Sequence, residues 1–270
     1  MSIGRSSNPA MKDSYFNEAV NDGTVMTVEG TIWKTMILLV LVVFGASFGW
    51  KYGTDLITGC VGFSQETGKA MIDPAMLSSA MAKMQSITFI GGMVAFVFAV
   101  ITCFVPTISP YTSIVYSLAE GVSLGALSYS FNILYSGIAI NALMITLAIA
   151  FTMLALYRFG IIKCTETFKS VVTIGTVGAC LASLGILLIR LFSPFKLSIF
   201  DMGPVAIGIS IVFCFIAAFN YILDFETAVK GAEAGAPKYM EWYAAFGIMV
   251  TTVWLYVEVL RLLSYLNKKN

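Results

Sequence analysis

The chain contains no histidine in 270 residues. That absence excludes histidine-based catalytic triads, zinc sites that use imidazole and histidine proton relays. Any proton sensing near neutral pH has to use shifted carboxylates. Charge is also scarce. Asp, Glu, Lys and Arg make up 11% of the residues, whereas soluble domains carry about 25%. With 58% hydrophobic residues, the chain cannot cover a water-facing surface, so its class is integral membrane protein. A net charge of +1 gives no reason to expect nucleic acid as a partner. The five cysteines (Cys60, Cys103, Cys164, Cys180 and Cys214) form no CxxC pair, and they read as apolar filler rather than disulfide or metal ligands. No nucleotide, metalloprotease or nucleophile motif occurs, and Gly91-Gly92 does not make a phosphate loop, so no enzyme activity is expected. A cleavable signal peptide is not expected either, because residues 1–34 are polar and the first apolar run is too long for a signal core.

What the chain has is long apolar runs. A spanning helix needs about 20 mostly apolar residues. Seven windows meet this, at about 33–52, 86–105, 111–131, 137–158, 170–191, 203–224 and 241–263. The runs are apolar on every face, so strands are not expected. The expected fold is all-α, a bundle of seven transmembrane helices over 33–265, with a polar N-terminal segment 1–32 and a C-terminal tail 266–270. Only the connection 53–85 exceeds ordinary helix–helix loops. Within it, Asp73-Pro74 reads as an N-cap and first helical position, from which a helix runs on into the second span. Lys and Arg divide eight to eight between the two faces that seven spans create, so the positive-inside rule gives no orientation.

Small residues recur at helical spacing. Gly121 and Gly125 follow Ser117, and Gly175, Gly178, Ala182 and Gly185 stripe the fifth span. Close helix packing is preferred for both stripes over a pore lining or hinge. Glu120 is the one acid in the middle of a span. A charge there costs about 2.5–3.5 kcal/mol on insertion scales. It is either a neutral, hydrogen-bonded register residue or an acid on an ion or proton pathway. Glu258 has Arg261 one turn later, which reads as a local ion pair at the interface.

Residues 217–242 (AAFNYILDFETAVKGAEAGAPKYMEW) hold the best candidate site. The sixth span ends on Asp224 and the seventh opens with Glu241, so both carboxylates are expected at one membrane face. Glu226 and Glu233 add acid to it. Glu258 is 17 residues beyond Glu241, roughly 25 Å along a helix, too far to meet Asp224. Glu241 is therefore the expected neighbour of Asp224. Two acids sharing such a site hold a proton between them, and when ionised they attract a cation such as Ca²⁺.

At MTVEGTIWKT (26–35), YSLAEGVSLGALS (116–128), YSGIAINALMIT (135–146), NYILDFETAVKGAEAGAPKYMEWYAAFG (220–247) and VWLYVEVLRLL (253–263) the chain resembles the Bax inhibitor-1 superfamily, and most closely its bacterial branch. The resemblance implies seven helices, an N-terminus in the cytoplasm and a pH-sensitive calcium leak operated by a carboxylate latch. Asp224 matches the first latch acid. Leak-type members carry an aspartate in the seventh helix at about Met249 to Thr252, where this chain has none, so Glu241 or Glu258 would stand in. The expected function is thus a pH-sensitive Ca²⁺ leak in the bacterial inner membrane, with no resident cofactor and only Ca²⁺ in transit. The alternative is a non-conducting regulator that binds other membrane proteins, such as a protease, through the polar N-terminal segment.

Overall fold

The computed structural model describes residues 25–63, 70–72, 74–192 and 204–268. Residues 1–24 of the polar segment, the Asp73 cap and the last two residues of the tail lie outside them. Seven long helices run through the described residues: α1 (Val28–Thr58), α2 (Pro74–Phe104), α3 (Ser109–Leu134), α4 (Ile138–Arg158), α5 (Glu166–Phe192), α6 (Pro204–Glu233) and α7 (Met240–Lys268). Each apolar window falls on one of them. Six helices are long and apolar enough to cross a membrane, and this is a multi-pass membrane protein. The exception is α3, whose serines, glycines and Glu120 dilute its apolar run.

The helices outrun the windows. Hydropathy marks the stretch matched to lipid, whereas a helix continues into water while its backbone bonds and caps allow. Thus α1 begins five residues before Trp33, α6 passes Asp224 by nine residues to Glu233, and α7 takes in most of the expected tail. As expected, α2 starts at Pro74 and runs unbroken to Phe104. The long connection before it holds a short strand pair outside the apolar runs. Strands β1 (Val61–Phe63) and β2 (Ala70–Ile72) pair antiparallel, with Gly62 opposite Met71. Three residues per strand are too few to show alternation in a hydropathy reading.

The chain divides into two compact units, Ile32–Ala139 on one hand and residues 1–31 with 140–270 on the other. In the first, α1 and α3 approach through glycines. A Cβ on Gly45 would stand 2.6 Å from the Leu118 carbonyl, and Cβ atoms on Gly49, Gly121 and Gly125 would strike facing backbone oxygens likewise. The Gly121/Gly125 stripe thus serves close packing. Helices α2 and α3 are joined by hydrogen bonds from Ser123 Oγ to the Thr88 carbonyl (2.8 Å) and from Thr102 Oγ1 to Thr112 Oγ1 (2.7 Å).

In the second unit, α6 and α7 form an antiparallel hairpin. Gly235, at φ +69°, allows the turn, and the Ala236 N–H donates to the Gly231 carbonyl across it (3.0 Å). The stripe on α5 corrects its expected role. Gly175 meets Ile216 of α6, but Gly178 and Gly185 have nothing within 4 Å of a built Cβ among the described residues. Small residues at helical spacing permit close approach without enforcing it.

Candidate functional site

The hairpin fixes which residues of α6 and α7 share a level. Asp224 lies nine residues before the end of α6, so its antiparallel neighbour lies about as deep in α7. That neighbour is Thr251, whose hydroxyl donates to Asp224 Oδ2 at 2.6 Å. One turn back along α6, the Tyr221 hydroxyl donates to Thr252 Oγ1 at 2.9 Å. Thr252 in turn donates to the Ile248 carbonyl at 2.8 Å. Gly247 lies beside Asp224, where a Cβ would sit in ordinary contact at 3.7 Å from Oδ1. Asp224 is half-buried, and the Thr251 hydroxyl is its side chain's one partner among the described residues. The carboxylate therefore has a hydroxyl on one oxygen and, among the described residues, no cation to balance its charge.

Glu241 is elsewhere. It sits in the first turn of α7 and is fully buried at 0% exposure. Its Oε1 accepts from the Thr27 N–H (2.8 Å), from Thr27 Oγ1 (2.8 Å) and from Lys238 Nζ (2.8 Å). Thr27 immediately precedes α1, and its Oγ1 accepts from the Gly30 N–H (3.0 Å), as an N-cap does. A carboxylate from α7 thus sits on the N-terminus of α1, where the orphan amides and helix dipole favour negative charge. Gly30 makes room, because a Cβ there would overlap the Glu241 carboxyl. The backbone joins in: Met26 N–H donates to the Ala236 carbonyl (2.7 Å), and Val25 bridges to Pro237.

The expected pairing of Asp224 with Glu241 is therefore corrected. Thr251 follows Glu241 by ten residues, about 15 Å along the helix. The cause is the continuation of α6 past Asp224, which lowers Asp224 into the hairpin while Glu241 stays at its rim. Glu226 lies nearer the rim, accepting from the Tyr157 hydroxyl (2.9 Å) and paired with Lys230 (2.7 Å). Glu258 and Arg261 hold each other at 2.9 and 3.1 Å. Glu120, on α3 in the other unit, is half-buried and makes no hydrogen bond or ion pair among the described residues.

Thr251, Thr27 and Gly30 are the site residues the sequence reading missed. Thr251 carried a signal, since it falls in the stretch of the seventh helix where the resemblance expects an acid. Thr27 carried none, being 214 residues from its partner. No group of three or more Cys, Asp or Glu side chains converges as metal ligands would among the described residues. The arrangement offers instead a single carboxylate that can gain or lose a proton against a hydroxyl donor, and a rim carboxylate that is fully bonded.

The family model described as Bax inhibitor 1 like matches residues 8–268 of the chain. No curated protein and no solved structure matches it.

Proposed function

Because the chain belongs to the Bax inhibitor 1-like family, we propose that this multi-pass membrane protein is a pH-sensitive cation leak, selective enough to pass Ca²⁺ and controlled at Asp224. The observation that carries the reading is the lone Thr251 hydroxyl on Asp224. A carboxylate between two helices with no cation partner among the described residues is costly to keep charged in a membrane, and ionisable residues so placed mark ion or proton paths. Ionised, Asp224 draws a cation to the α6–α7 seam. Protonated, it no longer does, and its new O–H competes with Thr251 for partners. In this reading α3 is the seventh span, Glu120 is a second acid on the path, and the N-terminus lies in the cytoplasm of a bacterium whose inner membrane holds the protein.

Calcium flux into proteoliposomes across a pH series tests this. Flux is expected to rise as pH increases and Asp224 ionises, and Asp224→Asn should lower it and flatten the pH response. Flux absent at every pH, or the same in wild type and variant, overturns the reading.

One observation favours a second reading, a non-conducting regulator of other membrane proteins. Residues 25–27 are clipped to the α6–α7 turn, so a partner that grips the preceding polar segment would pull on that hairpin. Deleting residues 2–24 should then abolish co-purification of a crosslinked membrane partner, and retention of the partner would exclude it.

A further inference from the structure

The α4–α5 connection reads Arg158-Phe159-Gly160-Ile161-Ile162-Lys163. Gly160 takes φ +67°, and the Ile161 N–H donates back to the Leu156 carbonyl (3.0 Å), so the chain reverses within a few residues of the end of α4. The reversal leaves Phe159 and Ile161 on the outside, 77% and 68% exposed. It also places Arg158 and Lys163 on the wall of a cleft of about 620 Å³, shared with Val28, Tyr157, Cys164 and Glu226.

The charges of that wall do not cancel. Glu226 is taken by Lys230 at 2.7 Å and by the Tyr157 hydroxyl at 2.9 Å. Burial, and then the Glu226 charge, push the Cys164 thiol above its ordinary range, so it is neutral at neutral pH. Lys169, Lys230, Lys238 and Arg261 each hold a carboxylate. Arg158 and Lys163 hold none among the described residues. The cleft thus has two cations uncommitted among the described residues at the end of a membrane-crossing helix, and the exposed Phe159 and Ile161 are chain neighbours of its lining residues Arg158, Gly160 and Ile162. Two cations alternating with two exposed apolar side chains in one short loop match the charged headgroup and apolar body of a phospholipid.

We propose that this cleft binds the phosphate of an anionic phospholipid, with Arg158 and Lys163 as its cationic ligands and Phe159 and Ile161 against the glycerol and upper acyl chain. Neutralising Arg158 and Lys163 removes the attraction, and making Phe159 and Ile161 polar removes the lipid contact but leaves a free phosphate unaffected.

The test is binding of fluorescent phosphatidylglycerol to the purified full chain in detergent. Unlabelled phosphatidylglycerol should compete and phosphatidylcholine should not. Each interfacial cation contributes about a factor of five, so R158A/K163A should bind about 30-fold more weakly. R158K/K163R, which keeps both charges, should retain binding and shows that the loss is not misfolding. F159S/I161S should weaken phosphatidylglycerol binding. Equal binding by wild type and R158A/K163A, or equal competition by phosphatidylcholine, overturns the proposal. Inorganic phosphate competing as well as the lipid would assign the cleft to a soluble anion and overturn the lipid assignment.

Discussion

Asp224 and Glu241 belong to one helical hairpin and carry the same charge, yet their surroundings are opposite. Glu241 is completely buried and receives a backbone amide, a hydroxyl and an ammonium on one oxygen. Asp224 is half-buried and receives one hydroxyl. Burial alone does not make a carboxylate a switch. A buried charge with full bonding is a fastener, because every change of its state breaks several bonds at once. A charge with one neutral partner changes state by breaking one bond, so of the two acids Asp224 is the one whose bonding suits the proposed proton switch.

The sharpest way to break this comparison is Glu241→Ala. It strips the cap from α1 and leaves the Thr27 amide without its partner, while Lys238, 43% exposed, turns to water. The expected loss is about 2–4 kcal/mol of stability in thermal or denaturant unfolding; a loss under about 0.5 kcal/mol would show that Glu241 is no fastener. Next comes Gly30→Ala, whose methyl overlaps the Glu241 carboxyl and should cost about 1–3 kcal/mol. In a Glu241→Ala background the same change should cost almost nothing, and additivity of the two would refute the contact.

Asp224→Asn and Thr251→Val should each change stability by only about 1 kcal/mol, the worth of one hydrogen bond. Their effect should appear instead in the pH profile of calcium flux. Lys238→Ala should cost less than about 1 kcal/mol, since a half-exposed ammonium is screened and Thr27 still bonds the carboxylate. The smallest effect concerns a third acid, Glu226. Its charge helps hold the Cys164 thiol up, so maleimide labelling at neutral pH should be slow in wild type and faster in Glu226→Gln.

The helices were legible because twenty apolar residues in a row leave no other way to satisfy backbone in lipid. Their ends were not, since beyond Asp224 the polar residues of Phe225 to Glu233 continue a helix that hydropathy cannot see. That one boundary decided the partner of Asp224. A search for acids could find Asp224 but not Thr251, whose one signal was its position in the stretch where the resemblance expects an acid. The contact of Thr27 with Glu241 lay across 214 residues, though both sat in stretches singled out for their resemblance. The strand pair was too short to register, and of the α5 glycines only Gly175 meets a neighbour, Ile216, among the described residues.

The clip between Thr27 and Glu241 also orders the birth of the protein. During translation Thr27 and α1 emerge well before α7, and the carboxylate that covers the N-terminus of α1 is made 214 residues after Thr27. At ribosomal rates of ~5–20 residues per second, that is a wait of about 10–40 s. Through that interval the leading amides of α1 lack the carboxylate that caps them in the finished fold. The completed hairpin then covers the N-terminus of α1 with its last described helix, so a nascent chain cut short before α7 leaves that terminus without its carboxylate cap.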